Sequence, residues 1–413
     1  MLSSAKKNRI VFETSFYITD LPATLACLHA IRKAGHEDVI LDFRNCAVAL
    51  PAPVLALSAR VLKMQLEKFD FTLRLPNDQK LARHFQNANW ASLLDPAKYS
   101  PSNVKGTTIL PATQFFDNAG QQRAVNSIID GVLSVTKNID RQAFAAFECS
   151  INEITDNVLV HSQSEVGGIV QMSTFTRRTK RIEYVVVDAG VGIPKTLRQA
   201  HPELRSDAEA LNQAVKEGVT RDKALGQGNG LYGSYRVCSE GEGIFHLQSA
   251  HAKLVFTRGK GLQITTEKVP FEGTLIDAQV NFSDPHLLSE ALKFGGKVHV
   301  PLADYVELRY ENLDTEEVRF VILKEAPSFR SRLGGTPARY RLQNLAGMYP
   351  TQKVIIDFAD VPLISSSFAD EVFGKLFLEM GPTAFSQRFE FRNYSLLVRQ
   401  LIDRAISQRL SGK

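Results

Sequence analysis

Two stretches near opposite ends of the chain read as copies of one another, and this repetition constrains the fold more than any other feature. Near the start stands "VILDFRNCAVALPAPVLALSARVLKMQ", followed by "FDFTLRLPNDQKLARHFQNA". Near the end stands "VIIDFADVPLISSSFADEVFGKLFLEM", followed by "FEFRNYSLLVRQLIDRA". Each copy runs apolar strand, Asp-Phe, turn, helix, strand, helix. Asp42 and Phe43 match Asp357 and Phe358, and Phe69 and Phe71 match Phe389 and Phe391. Short β-branched runs that alternate with amphipathic helices argue for α/β units.

The repeated unit resembles the STAS-like fold of anti-sigma-factor antagonists, more clearly in the C-terminal copy. "IDFADVPLISSSFADEVF" follows that family's order of strand, acidic loop, serine-bearing turn and helix. The resemblance implies a phosphorylatable serine at the helix start, here Ser367, with Ser365 and Ser366 beside it. The family's usual Asp-Ser-Ser-Gly is absent. Ser365 to Ser367 also read as simple helix caps, because hydroxyls satisfy the free N–H groups of a first turn. The N-terminal copy has Ala52 at the aligned place.

The chain has 413 residues, 44% of them hydrophobic and 23% charged, which suits a soluble globular protein of two to four domains. No apolar run reaches the roughly 18 residues of a membrane span, so no membrane association is expected. The N-terminal "MLSSAKKNRI" has no apolar core behind its positive charges and is not expected to be a secretory signal. Cys27, Cys46, Cys149 and Cys238 lack paired spacing, which argues against a disulfide framework or a zinc site and fits a reducing cytoplasm. The net charge of +5 is spread among acidic residues, so no nucleic-acid partner is expected.

Between the copies, "ECSINEITDNVLVHS" reads as part of a helix over 140–162. Phe144, Phe147, Ile151, Ile154 and Val158 recur at spacings of three and four, an apolar stripe for the core. Glu153, Asn157 and His161 fall four apart on a neighbouring line. A solvated helix face would explain Glu-x-x-x-Asn alone. Three further signals come in order. "EYVVVDAGVGIP" places Asp188 at the end of an apolar strand, with Gly190 and Gly192 after it. "GVTRDKALGQGNGLYGSYRV" brings Gly226, Gly228 and Gly230 before a helix-like run, after a helix-and-loop stretch that begins at Pro194. "FEGTLIDAQV" sets Gly273 and Thr274 at the start of a late strand. Glycines before a helix free backbone N–H groups for phosphate oxygens. "TILPATQFFDNAG" reads as a loop before a helix, and "GLQITTEK" and "GTLIDAQVNF" read as two separate strands.

The order of these four signals resembles the GHKL superfamily, which includes gyrase, heat-shock chaperone ATPases, histidine kinases and anti-sigma-factor serine kinases. The resemblance implies a Bergerat-type α/β sandwich that binds ATP with Mg²⁺. It implies that Asp188 accepts a hydrogen bond from the adenine amino group, supported by Thr274. It further implies that Gly190 and Gly192 pass close to the base, that Asn157 ligates Mg²⁺, that Gly226, Gly228 and Gly230 close a lid over the phosphates, and that Glu153 is the general base. Histidine kinases carry Asn where Glu153 stands and need a phosphoacceptor histidine on a dimerisation helix, whereas His36 lies in a short turn.

The expected architecture is therefore α/β: a STAS-like domain at 1–100, a GHKL ATP-binding domain at 101–285 and a STAS-like domain at 286–413. The expected function is an ATP-binding, ATP-hydrolysing cytoplasmic switch whose lid, from about 194 to 230, alters the flanking domains or a protein partner. The alternatives are a serine/threonine protein kinase of the anti-sigma type and a non-catalytic ATP-binding module. The partner is not specified, and a homodimer stays open.

Overall fold

The computed structural model describes residues 5–102, 109–175, 181–216, 230–240, 243–281, 293–294, 297–298, 304–312, 314–326 and 328–411. The protein is a mixed α/β structure with several sheets. It divides into two compact units. The first comprises Met1–Ile128 and Cys149–His299, and the second Ile129–Glu148 and Val300–Lys413. Among the described residues, no helix is long and apolar enough to cross a membrane.

The first unit opens with β1 (Ala5–Lys6), β2 (Arg9–Val11), β3 (Thr14–Phe16), α1 (Leu21–Lys33), β4 (Asp38–Asp42), β5 (Cys46–Ala49), α2 (Pro51–Leu66), β6 (Asp70–Arg74), α3 (Gln79–Asn87) and α4 (Trp90–Leu94). Then come β7 (Ile109–Phe115), α5 (Asn118–Val135), α6 (Arg141–His161), β8 (Gly168–Phe175), β9 (Arg181–Asp188), α7 (Ile193–Ala200), α8 (Asp207–Ala214), α9 (Gly230–Glu240), β10 (Ile244–Thr257) and β11 (Gly261–Asn281). The boundary between the units falls within α5 and α6.

The central sheet of this unit has the order β10-β11-β9-β8-β7, and every neighbouring pair is antiparallel. Successive side chains of a strand point to opposite faces, and both faces here are covered. Ile169, Val185, Val187 and Leu275 join the core built by the N-terminal segment, which includes Phe43, Val54, Leu57 and Trp90. Tyr184, on the other face, bonds Ser150 of α6 through its hydroxyl at 2.6 Å. The apolar stripe of α6 is buried as its spacing predicts: Phe144, Phe147 and Ile151 are fully covered, and Ile154 and Val158 nearly so.

Two strand readings change. Residues 109–115 form β7 rather than a loop. Pro111 makes this stretch read as irregular, but β7 is an edge strand with a register shift between Leu110 and Thr113, where a missing N–H is tolerated. The two late strand runs merge into the single bent β11, whose pairing with β10 shifts register around Ala250.

The second unit includes β12 (Glu311–Asn312), β13 (Glu317–Val321), β14 (Val354–Asp357) and β15 (Phe389–Arg392), with the order β12-β13-β14-β15. Its first pair is antiparallel and the rest parallel. The N-terminal sheet β1-β2-β4-β6 has the same order and the same senses. Its Asp42 pairs Val11 and Arg74, as Asp357 pairs Val321 and Arg392. The following phenylalanines donate their N–H to matching acceptors, Phe43 to Arg74 at 2.9 Å and Phe358 to Arg392 at 3.1 Å. Each aspartate accepts the N–H two residues on, from Arg44 at 3.1 Å and from Ala359 at 2.9 Å. This register aligns Phe71 and Leu73 with Phe389 and Phe391. The sequence alignment of Phe69 and Phe71 is therefore two residues out of step. A slip of two keeps the same strand face, so hydrophobic pattern alone cannot detect it.

The only tryptophan of the chain, Trp90, is fully buried and donates its indole N–H to Gln171 on β8 at 2.7 Å. Trp90→Phe keeps most of the ring and strands a buried amide oxygen. It is expected to cost about 1–3 kcal/mol in urea unfolding followed by circular dichroism.

Candidate functional site

Four chain segments meet at the C-terminal end of β9, and the point where they meet is Asp188. Its carboxylate is buried. It accepts the Gly190 N–H at 2.8 Å and both the backbone N–H and the hydroxyl of Thr274. Burial pushes its pKa up to about 6 against the opposing pull of those three donors and of the nearby Lys63 ammonium. A carboxylate offers about four acceptor positions, so three donors leave room for one more.

The backbone around Asp188 packs too closely for side chains. A Cβ on Gly273 would lie 2.1 Å from the Asp188 carbonyl oxygen, and the residue sits at φ +102°, where glycine is favoured. A Cβ on Gly190 would lie 2.0 Å from the Ser162 carbonyl oxygen. That carbonyl accepts the Val191 N–H at 2.8 Å and so joins the end of α6 to the loop after β9. Ser249 completes the corner: its Oγ donates to the Gly273 carbonyl at 2.7 Å and accepts the N–H of Ile193, the first residue of α7, at 3.0 Å. Gly192, before α7, also lies against Ser249 Oγ.

The structure thus brings Asp188, Gly190, Gly192 and Thr274 together. Glu153 and Asn157 lie on the unit-one half of α6, whose end is fastened at this corner. Glu153 is exposed and Asn157 half-buried. With about 1.5 Å of rise per residue, Asn157 stands roughly 7 Å along the axis from Ser162, and Glu153 one turn further. Asp156 is exposed and His161 half-buried. Gly230 is the first residue of α9. Gly226 and Gly228 lie outside the described residues, as does 217–229 of the expected lid. Its described part holds α7 and α8.

Three contributors had no signal in the sequence. Lys63 of α2 reaches across to the Ala189 carbonyl at 3.2 Å and to Glu272 at 3.1 Å. Arg60, one turn earlier, also pairs with Glu272. Ser249 looks like any strand serine. All three act through pairings that only the folded sheet creates.

Residues 341–398 match the family model of a STAS-like domain of unknown function (DUF4325). No curated protein matches this chain. Among solved structures it is similar to the histidine kinase domain from the Erythrobacter litoralis EL346 blue-light activated histidine kinase, at 14% identity. That alignment covers 42% of this chain and 64% of that chain, with a TM-score of 0.20. The STAS-like match contains β14, β15 and the serine-bearing helix start at Ser365.

Gly273→Ala tests the corner. The contact with Asp188 and the positive φ together are expected to cost about 2–4 kcal/mol. Gly261→Ala, at φ +66° with nothing within 4 Å, should cost only about 1 kcal/mol. Comparing the two by urea unfolding separates the close approach from conformational strain.

Proposed function

We propose that this chain is an ATP-binding switch protein that uses Mg²⁺ and hydrolyses ATP, and that its nucleotide state acts on its STAS-like parts or on a protein partner. The observation that carries the reading is the buried Asp188 carboxylate, which has an acceptor position to spare inside a glycine-lined corner. An amino group of a base suits it, because a directed N–H satisfies a carboxylate that is costly to leave underserved. The raised pKa fits the same reading: an arriving donor favours the charged form.

Among the described residues, no cluster of three or more His, Cys, Asp or Glu is arranged to hold a metal. Mg²⁺ that arrives with a triphosphate needs none, since it keeps several waters and takes one or two protein oxygens. The amide oxygen of Asn157 would face the ion, which when bound supplies charge neutralisation between phosphate oxygens. Glu153, one turn away, would accept a proton from the attacking water at its carboxylate. The buried stripe of α6 fixes both side chains on one rigid element.

A second reading, a protein serine kinase, is favoured by Ser365–Ser367 within the STAS-like match. Ser365 Oγ already accepts the Phe368 N–H at 3.1 Å and lies 3.0 Å from Ser367 Oγ, the geometry of a cap. Mass spectrometry after incubation with Mg·ATP, run beside phosphate release, decides between them. Free phosphate without labelled serine is expected. Stoichiometric phosphate on Ser365, Ser366 or Ser367 that disappears in Glu153→Ala would establish the kinase.

Asp188→Asn is expected to weaken ATP binding by about 2 kcal/mol, roughly 30-fold, in calorimetry. ATP affinity should hold steady above pH 7. Below about pH 6, where Asp188 takes up its proton, it should fall towards tenfold per unit relative to Asp188→Asn. Glu153→Ala should keep ATP and lose about 100-fold or more in turnover. Asn157→Ala should lose Mg²⁺-dependent affinity, and an unchanged affinity at saturating Mg²⁺ removes it from the site.

A further inference from the structure

A cleft of about 420 Å³ opens beside the Asp188 corner, walled by α1, by Arg60 of α2 and by residues 268–272 of β11. Its volume lies within the roughly 300–1,000 Å³ usual for small-molecule sites. Leu25, Val269 and Phe271 give it an apolar floor, Arg60 and Lys268 place cationic groups around it, and His29 adds an imidazole. Its only carboxylate among the described residues, Glu272, is already matched by Arg60 and by Lys63. Lys268 is exposed and has no carboxylate partner among the described residues. The lining therefore combines apolar area with an excess of positive charge.

We propose that this cleft binds a small amphipathic anion, an organic carboxylate, sulfonate or phosphate on an apolar body, and that its occupancy alters the nucleotide corner. The first part stands on the cleft alone; the second rests on the ATP reading above. The coupling arises from covalent neighbours. Glu272 precedes Gly273, which packs on the Asp188 carbonyl, and Thr274, which donates to the Asp188 carboxylate. Lys63 holds Glu272 and the Ala189 carbonyl at once. An anion that engages the Arg60 guanidinium competes with Glu272 for it. Glu272, left with Lys63 as its partner, then shifts the stretch of chain that holds Asp188.

The test uses the full chain and two dyes, anionic 8-anilinonaphthalene-1-sulfonate and its uncharged analogue N-phenyl-1-naphthylamine. By fluorescence titration, the sulfonate should bind one site about tenfold or more tighter than the neutral dye, as expected for one charge-assisted contact. Ala26→Trp fills the mouth from an exposed position and should abolish that binding. Arg60→Gln should remove the preference for the sulfonate. Lys268→Gln, which disturbs no ion pair among the described residues, should reduce it several-fold and keeps the test decisive if Arg60→Gln does not fold. Equal affinity for the two dyes, or sulfonate binding unchanged in Ala26→Trp, overturns the site. Calorimetry of Mg·ATP with and without saturating sulfonate dye then reads the coupling. At least about a threefold change in Kd is expected in the wild type and none in Ala26→Trp. An unchanged Kd in the wild type overturns the coupling. Absence of ATP binding in any condition overturns the nucleotide reading and the coupling with it, while the dyes still decide the cleft.

Discussion

A carboxylate buried at the end of an apolar strand governs the geometry of the first unit. Asp188 comes after Val185, Val186 and Val187, all of them buried, so the strand itself carries the charge into the interior. A charge there must be met by hydrogen bonds or give up its ionisation. Gly190 and Thr274 meet it from two directions, and both must bring backbone within hydrogen-bond reach. That requirement explains why Gly273 cannot bear a side chain and why β11 passes so near the end of β9. The same turn receives the end of α6 through the Ser162 carbonyl. The helix that carries Glu153 and Asn157 is thus positioned at one end by the loop that positions Asp188, and along its length by its apolar stripe.

The N-terminal segment is part of this arrangement. A sheet with one open face would leave Ile169, Val185, Val187 and Leu275 to solvent, and α1, α2 and Trp90 close that face. α2 shows the cost of this in its composition. Ten of its sixteen residues, from Ala52 to Met64, are buried, because it lies between its own sheet and the central one. A helix apolar on nearly all sides is a buried helix. Where the covering is polar, pairs are made: Gln171 takes the indole N–H. Glu183 and Asp277 hydrogen bond each other; burial raises the pKa of both, and the Glu183 charge and hydrogen bond raise that of Asp277 further.

Much of this is legible in the sequence, and the rest is hidden for definable reasons. Period reveals which face of an element is buried, so the α6 stripe and the apolar β9 are readable. Composition at a turn reveals a tight backbone, so Gly190, Gly192 and Gly273 stand out from sequence alone. Period does not reveal phase along a strand, hence the slip of two between Phe69 and Phe71 and their structural counterparts. Nor does it reveal which proline sits on an edge, hence β7. Lys63, Glu272 and Ser249 are invisible because their roles depend on segments more than a hundred residues apart, or on a strand pairing that shifts register at Ala250. Nothing in the residues next to Lys63 says which carbonyl or carboxylate its ammonium will meet.

The N-terminal sheet and the sheet of the STAS-like match share strand order and senses, and they show which parts of such a unit are held by physics and which are open to change. Both keep the aspartate at the end of the middle strand and both keep its bond to the N–H two residues on. In the N-terminal unit Arg9, Arg44 and Arg74 surround Asp42; burial acts against its charge, but the Arg44 hydrogen bonds and the Arg9 and Arg44 guanidinium charges hold its carboxyl below the usual range. In the second, Asn393 donates to Asp357 at 2.8 Å, with Arg319 near. The aspartate is retained because it fixes the turn; its outer partners vary because several donors serve equally. The next helix must satisfy free N–H groups at its start, and the copies do so differently. Leu50-Pro51 removes one of those donors, since proline has none to satisfy. Ser365 accepts one instead. The first solution leaves an apolar helix start that can be covered, and α2 is covered. The second leaves hydroxyls at the helix start, with Ser366 exposed to solvent. The two units thus share their turn chemistry, while the start of one helix is interior and the start of the other lies at the surface.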